Sequence, residues 1–163
     1  MNSPAQIRIV DYLPAHQPAF ERLNTQWLEQ YFVVEEIDRK VLADPQTYIL
    51  ANGGHILCAV DDQDQVVGVV SLIAEGGGVY ELSKMAVDPS LRGAGIGRKL
   101  MTAALSWFAA QEGTELFLES NAKLTPALQL YESVGFRHHP APRPGSHYDR
   151  ADVYMIYEPE KDQ

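Results

Sequence analysis

The sequence is poor in cysteine, in basic residues and in long apolar runs, and each shortage excludes a class of protein. Its one cysteine, Cys58, cannot form an internal disulfide, which favours a reducing compartment. The 13 Lys and Arg residues face 22 Asp and Glu residues, and the net charge of -9 disfavours nucleic acid and anionic membranes as partners. No apolar run approaches the ~20 residues that span a bilayer, and residues 1–15 lack the pattern of a signal peptide. We therefore expect a cytoplasmic protein that binds neither nucleic acid nor membrane.

The length and composition suit a single folded unit. The chain has 163 residues, 45% of them hydrophobic, which is enough for one ordinary domain with a sizeable core. We therefore predict one domain over residues 1–163. Cys58 stands inside the apolar run 56–60, which favours a buried strand residue over a catalytic nucleophile.

Hydrophobic periodicity and turn residues divide the chain into short strands and helices. Strands are predicted at 7–13, 46–50, 55–60, 65–74, 79–87, 114–120, 136–139 and 152–157. Helices are predicted at 18–30, at 35–43, from Ile96 to an end at Gly113, and at 127–134 with Thr125 as N-cap. This order predicts an α+β or mixed α/β fold in which helices cover a single sheet.

A glycine-rich turn between the strand at 79–87 and the next helix is the strongest functional signal. It reads Arg92-Gly93-Ala94-Gly95-Ile96-Gly97. The first amides of a helix have no intrahelical partner and lie at the positive end of the helix dipole, so such a turn suits a phosphate. The dinucleotide pattern and the P-loop both require glycine where Arg98 stands. The turn therefore predicts an anion site that holds neither a dinucleotide nor a nucleoside triphosphate in those ways.

Together with flanking residues, this turn resembles the GCN5-related N-acetyltransferase (GNAT) superfamily. The resemblance is carried by segment 82–89, the turn, Asn121, and the segment 127–136 with its Leu-Tyr-Glu-Ser-Val-Gly-Phe run. It implies a GNAT-like, mostly antiparallel central sheet flanked by helices, with acetyl-CoA as co-substrate. The residues that the resemblance assigns to the cofactor are Met85, Ala86, Val87, Arg92, Gly93, Ala94, Gly95, Ile96, Gly97, Arg98 and Asn121. The strand residues would contact pantetheine through their main chain, and the turn would hold the pyrophosphate.

The resemblance also implies two catalytic residues. An alkyl amine with a pKa near ~10 arrives protonated at neutral pH, so a base must accept its proton before it can attack a thioester. Glu81 corresponds to the strand glutamate that serves as general base in some members, and Tyr131 to the tyrosine that serves as general acid in many. Both residues also have a purely structural interpretation: Glu81 as a surface or structural carboxylate and Tyr131 as a packing residue. Asn121 from the cofactor set can likewise be an ordinary turn residue.

The expected function is therefore acetyl transfer from acetyl-CoA to a primary amine by direct attack, with a small molecule as acceptor. A protein or peptide acceptor and a non-catalytic acyl-CoA-binding module are the alternatives, and a homodimer is a common family arrangement. His138, His139 and His147 show no ligand spacing, so no metal is expected. Further candidates for the acceptor pocket are Trp27, Tyr31, Phe32, Glu35, Tyr148, Asp149 and Arg150.

Overall fold

The computed structural model describes residues 6–146 and 148–159, and its strands form one seven-stranded sheet. The strands are β1 (Arg8–Asp11), β2 (His55–Val60), β3 (Val66–Gly76), β4 (Val79–Val87), β5 (Glu115–Ser120), β6 (Phe136–His139) and β7 (Val153–Tyr157). The helices are α1 (Gln17–Tyr31), α2 (Glu36–Ala43), α3 (Ile96–Ala110) and α4 (Thr125–Val134). The strand order is β1-β2-β3-β4-β5-β7-β6, and every neighbouring pair is antiparallel except β4–β5. The predicted mixed α/β fold with a mostly antiparallel sheet is confirmed.

Helices cover both faces of the sheet, which explains why β2 and β3 read as continuous apolar runs. Along β2, Leu57 and Ala59 join the core cluster that contains α3, whereas Ile56 and Cys58 join the cluster that contains α1 and α2. Successive side chains of a strand point to opposite faces, so one run supplies two cores. Cys58 is fully buried, as predicted, and burial raises its pKa to about 12.

The sheet opens in its middle, between β4 and β5. These two strands pair only from Val79 to Glu81, where Glu81 lies opposite Phe117, and β5 then continues beside β7. Beyond that point β4 bulges: Val69 and Ser71 of β3 lie opposite Ala86 and Ser83, so β4 carries one extra residue. Lys84 in this bulge has a φ of 51°. The carboxyl-terminal half of β4 therefore has one edge without a strand partner.

The predicted strand at 46–50 is wrong, because this segment forms a π-helical turn. The Ala51 N–H donates to the Gln46 carbonyl at 2.8 Å, and the Asp44 carboxylate accepts from the Thr47 N–H at 3.2 Å. Only Ile49 of this segment is buried, so its β-prone residues do not alternate between core and solvent. Local side-chain capping by Asp44 outweighs their strand propensity.

The predicted ends of two helices are also corrected. Helix α3 ends at Ala110, and the left-handed residue that follows is Glu112, with a φ of 55°. Gly113 stands one residue later, where its N–H donates to the Phe108 carbonyl, and a Cβ there would lie 2.2 Å from the Phe108 ring. At the other helix, Leu124 is the N-cap of α4 and Thr125 is already helical. Gly135 closes α4 as predicted, with a φ of 117°.

Candidate active site

A groove lies where the unpaired edge of β4 faces the amino-terminal end of α3. Gly95 is the N-cap of α3 and supplies no side-chain cap, so the first N–H groups of the helix point into open space. Gly93 and Gly95 have φ values of 86° and 81°, and a Cβ on either would meet nothing within 4 Å. The turn therefore has the backbone shape and the room that a bound phosphate requires. Most of the predicted cofactor residues line the groove: Met85, Ala86, Val87, Arg92, Gly93, Gly95, Ile96, Gly97 and Arg98.

Two arginines stand at the edge of the groove. Arg92 donates to Gln30 Oε1 at 3.3 Å and to Tyr31 Oη at 3.4 Å, which ties the turn to the end of α1. Arg98 donates to the Ser133 hydroxyl on α4 at 3.0 Å. Ala94 differs from its neighbours, because its N–H donates to the Leu91 carbonyl and it does not line the groove.

A second cavity continues from the groove between the diverging strands. Trp27, Met85 and Tyr131 line both, so they mark the junction between the groove and the cavity. Tyr131 is half-buried on α4 and packs edge-on against Phe136, with ring centroids 6.2 Å apart. Burial raises the pKa of its phenol to about 12, so it carries its proton at neutral pH. Tyr131 thus packs against the core and also lines the junction, and its role as general acid stays a prediction.

Glu81 lies on the floor of this cavity and is only 5% exposed. Burial and the nearby Glu119 carboxylate raise its pKa to about 7, despite the opposing charge of Lys84. The alternative of a surface carboxylate is therefore wrong. A carboxyl group that changes protonation near neutral pH is suited to exchange a proton with a bound molecule.

Lys84 and Arg150, which line the cavity, belong to a buried ion cluster that the sequence did not reveal. Asp38 of α2 is fully buried and accepts from Lys84 Nζ at 2.8 Å, from both terminal nitrogens of Arg150 at 2.8 and 2.9 Å, and from the Glu35 N–H at 2.9 Å. The hydrogen bond from Arg150 and the charge of Lys84 lower the pKa of Asp38 to about 2, against the effect of burial. Arg150 also donates to Glu35 at 2.8 Å, and Lys84 lies 4.8 Å from the centre of the Tyr148 ring.

Asn121 lies at the end of β5 and lines the cavity rather than the groove. Its Nδ2 donates to the Arg150 carbonyl at 2.7 Å, and its Oδ1 accepts from the Lys123 N–H at 3.0 Å. In this structure its amide therefore holds the loop before β7 against the turn after β5. Its contact with the cofactor stays a prediction.

The other pocket candidates separate into two groups. Trp27, Phe32, Tyr148 and Arg150 line the cavity, whereas Tyr31, Glu35 and Asp149 do not. Residues 148–150 precede β7, which begins at Val153. Two charged residues that line the cavity were missed by the sequence reasoning, Lys84 and Glu119. Their one signal in the sequence is a charge next to an apolar strand segment.

The histidines of the carboxyl-terminal part take acidic partners. His138 lies 2.9 Å from a Glu132 oxygen, and His139 is paired with Glu158. Within residues 6–146 and 148–159 no three His, Cys, Asp or Glu side chains are grouped to hold a metal ion. His147 falls outside this part of the chain. A search of the same residues finds no helix with the length and apolarity that crossing a membrane requires.

Comparison with known proteins identifies the family of this chain. A family model described as "Acetyltransferase (GNAT) family" matches residues 9–136. The chain belongs to the GNAT family of acetyltransferases. The uncharacterized N-acetyltransferase YjgM of Escherichia coli is 30% identical over 128 residues, which are 74% of this chain and 76% of YjgM. Family membership and a relative named as an N-acetyltransferase support an enzyme over a non-catalytic module, and the chain is an N-acetyltransferase.

Two further comparisons show how much of each chain the similarity covers. The human N-acetylaspartate synthetase is 33% identical over 98 residues, covering 60% of this chain and 32% of the synthetase. The GNAT chain is therefore similar to about a third of that protein. A GNAT acetyltransferase from Staphylococcus aureus Mu50 superposes with a TM-score of 0.83 at 21% identity, over 93% of this chain and 98% of that chain. This likeness shows that the two proteins share a fold.

Proposed function

We propose that this GNAT enzyme transfers the acetyl group of acetyl-CoA directly to the primary amine of a small molecule. The observation that carries the proposal is the junction of groove and cavity, where Tyr131 lies between an open anion site and the buried carboxyl group of Glu81. Direct transfer is supported by Cys58, which is buried in β2, does not line the groove or the cavity, and holds its proton. A cytoplasmic location, a homodimer and a single domain stay predictions from the sequence.

The groove fits acetyl-CoA in two respects. The N–H groups of Ile96, Gly97 and Arg98 open α3 without a side-chain cap, which suits the pyrophosphate. The free edge of β4 from Met85 to Val87 offers main-chain groups to the amide-bearing pantetheine arm, as an added strand would. When bound there, acetyl-CoA supplies an acetyl group activated as a thioester.

Glu81 would accept the proton that the acceptor nitrogen carries. Because the pKa of Glu81 is about 7, a substantial fraction of the enzyme holds it ionised at neutral pH, ready to take a proton from an ammonium group. The N–H bond breaks, its proton forms an O–H bond on Glu81, and the nitrogen lone pair becomes available for attack. The activity is expected to fall as pH drops below about 7, because Glu81 is then already protonated.

Tyr131 would stabilise the negative charge that develops on the departing sulfur. Its phenol keeps its proton, since burial raises its pKa to about 12. An ordinary thiol has a pKa near ~8.5, below the raised pKa of this phenol, so complete transfer of the proton to the sulfur is unfavourable at first. The tyrosine therefore acts first as a hydrogen-bond donor to the sulfur, and its proton follows as charge accumulates there.

A small acceptor is supported by the enclosure of the cavity between α1, the two strands and residues 148–151. The name of the related N-acetylaspartate synthetase also refers to a small-molecule product. Acetylation of a peptide array is compared with acetylation of a panel of small amines. An enzyme whose acceptor is a protein or peptide would acetylate the array and leave the small amines unchanged.

The decisive experiment measures the release of CoA thiol from acetyl-CoA in the presence of those amines. Glu81→Gln and Tyr131→Phe should each lower kcat by roughly tenfold to a thousandfold, the usual range for lost proton-transfer groups, with little change in CoA affinity. Tyr80→Phe is the matched control, because Tyr80 is half-buried on β4 and packs on Trp107 outside the cavity. Normal turnover by the Tyr131→Phe enzyme would remove the hydroxyl from the proposed role.

A further inference from the structure

Two carboxylates share the floor of the cavity, one on each of the diverging strands. Glu81 of β4 lies opposite Phe117 of β5, and Glu119 stands two residues further along β5 on the same face as Phe117. Both glutamates line the cavity. The parallel pairing of β4 and β5 ends just at this position, so the two carboxylates flank the point where the strands separate.

Neither carboxylate is satisfied by the protein. Glu119 Oε1 is buried with no hydrogen-bond partner among the residues that the structure describes, and no side-chain hydrogen bond joins Glu81 to any of them. Asp38 shows the contrast, since it accepts four hydrogen bonds from Lys84, Arg150 and Glu35. A buried carboxylate oxygen without a donor costs free energy, so buried Glu81 and the buried Oε1 of half-buried Glu119 in one cavity indicate that a ligand supplies the donors.

Two cations stand near this pair. Lys84 is held by Asp38 and Tyr148. The Cζ of Arg143 lies 3.8 Å from the centre of the Phe117 ring, its charge partly offsets the raised pKa of Glu81, and its buried Nε has no hydrogen-bond partner among the described residues. Glu75 of β3 adds a further negative charge near Glu81, although its side chain is exposed. The floor of the cavity therefore keeps an excess of negative charge, while the neighbouring walls formed by Trp27, Leu28 and Phe32 are apolar.

We propose that Glu81 and Glu119 together bind the acceptor as its ammonium ion, so that the enzyme selects primary alkylamines over amines that are uncharged at neutral pH. This inference rests on the proposed function, because it names the substrate class of the same cavity. Glu119 holds the cation by charge and hydrogen bonding, and Glu81 takes one proton from it. An N–H bond breaks, an O–H bond forms on Glu81, and the neutral amine remains beside Glu119. The alkyl chain lies against the apolar walls.

The test compares a cation with an uncharged molecule of the same shape. n-Butylammonium chloride and n-butanol are added to the substrate-free protein at pH 7 and equal concentration, and Tm is measured. The ammonium ion should raise Tm of the native enzyme more than butanol does, and Glu119→Gln should abolish that difference. Glu115→Gln, on the same strand and face but outside the cavity, should respond like the native enzyme. Equal shifts by the two probes, or an unchanged response in Glu119→Gln, would overturn the proposal.

A second measurement needs no ligand and compares the variants through the pH dependence of stability. Since the folded pKa of Glu81 is about 7, against an ordinary 4.5, its contribution to stability is present below pH 4.5 and is lost as pH rises through 7. Glu119→Gln removes a like charge and should make this loss smaller, whereas Glu115→Gln should leave it unchanged. Identical pH profiles for native protein and Glu119→Gln would contradict the pairing of the two carboxylates.

Steady-state kinetics then link the site to turnover. Glu119→Gln should raise KM for n-butylamine at least fivefold, change kcat less than twofold, and leave KM for aniline, which is uncharged at neutral pH, unaltered. A loss that is equal for both amines would assign Glu119 a structural role and reject the proposal. If no amine releases CoA while the ammonium-specific rise in Tm persists, the proposed function fails and the cation site stands.

Discussion

The groove that fits acetyl-CoA is built mainly from main chain, whereas the cavity beside it is built from side chains that come from distant segments. The groove uses consecutive residues of the turn and one edge of β4. The cavity brings Asp38, Lys84 and Arg150 together across more than a hundred positions of sequence, and it places Glu81 beside Glu119 across the strand opening.

The difference explains how one family can keep a cofactor and change its acceptor. Main-chain N–H groups are the same whichever side chains surround them, so the anion site depends on backbone conformation and on room for the phosphate. The acceptor wall depends on a few charged side chains, each of which is replaceable without altering the groove. Under the proposed function, selection of a particular acceptor therefore depends on the cavity, and the fold itself does not determine it.

The largest effect that tests this comparison is expected from Asp38→Ala. The substitution leaves Lys84 and Arg150 without their buried carboxylate, and the loss of one partner from a buried ion pair costs about 3–5 kcal/mol. Urea unfolding measures the change in the free energy of unfolding. Glu36→Ala, which removes a carboxylate from the exposed Glu36–Lys40 pair on the same helix, should cost no more than about 1 kcal/mol.

Acidification should produce a related but smaller loss of stability in the native protein. The pKa of Asp38 is lowered from 3.8 to about 2, so its contribution is present above pH 4 and is lost as pH falls toward 2. Asp38→Asn should lack that part of the acid transition. If Asp38→Ala weakened CoA binding as much as it destabilised the fold, the separation between groove and cavity would be wrong.

An intermediate effect is expected from Gly95→Ala in the groove. A Cβ at a φ of 81° costs about 1 kcal/mol of stability and projects into the space proposed for the pyrophosphate, so CoA affinity should fall by about tenfold or more. Calorimetry with CoA measures the affinity. Gly76→Ala is the matched control, because Gly76 also has a positive φ, of 95°, and open surroundings, yet lies at the end of β3, away from the groove. It should lose similar stability and bind CoA normally.

The smallest effect on activity is expected from Cys58→Ala. Cys58 lies in β2 outside both regions, and its thiol has a pKa of about 12. The substitution should cost roughly 1 kcal/mol of stability through a small cavity and change kcat less than twofold. The thiol-release assay and urea unfolding check the two values. A loss of turnover without a loss of stability would support a route in which Cys58 is acetylated first. Part of the chemistry would then lie outside the groove and the cavity.

The sequence predicted local features well and long-range ones poorly. The bounds of β2, β4 and β6 agree with the predicted ranges, because strand propensity and flanking turn residues act within a few positions. The helical turn at 46–50 was missed because the Asp44 side chain competes with strand propensity. The bulge at Lys84 was missed because its ammonium bonds to Asp38, 46 residues away.

The candidate site divides in the same way. Resemblance to the family located the turn, Tyr131 and Glu81, and the structure places all three along one continuous opening. Glu119 could not be found in this way, since its relation to Glu81 requires the parallel register of β4 and β5. Asn121 was assigned to the cofactor by resemblance, and the structure shows its amide bound to the loop before β7.

By itself the sequence determined the backbone of the cofactor groove, because glycines with positive φ and an uncapped helix start are consequences of neighbouring residues. It also determined the two apolar faces of the sheet, through alternation along each strand. Only the tertiary structure decided which charges meet in the cavity. Electrostatic energies depend on distance and burial, and a residue such as Glu81 acquires its raised pKa from groups that chain folding brings beside it.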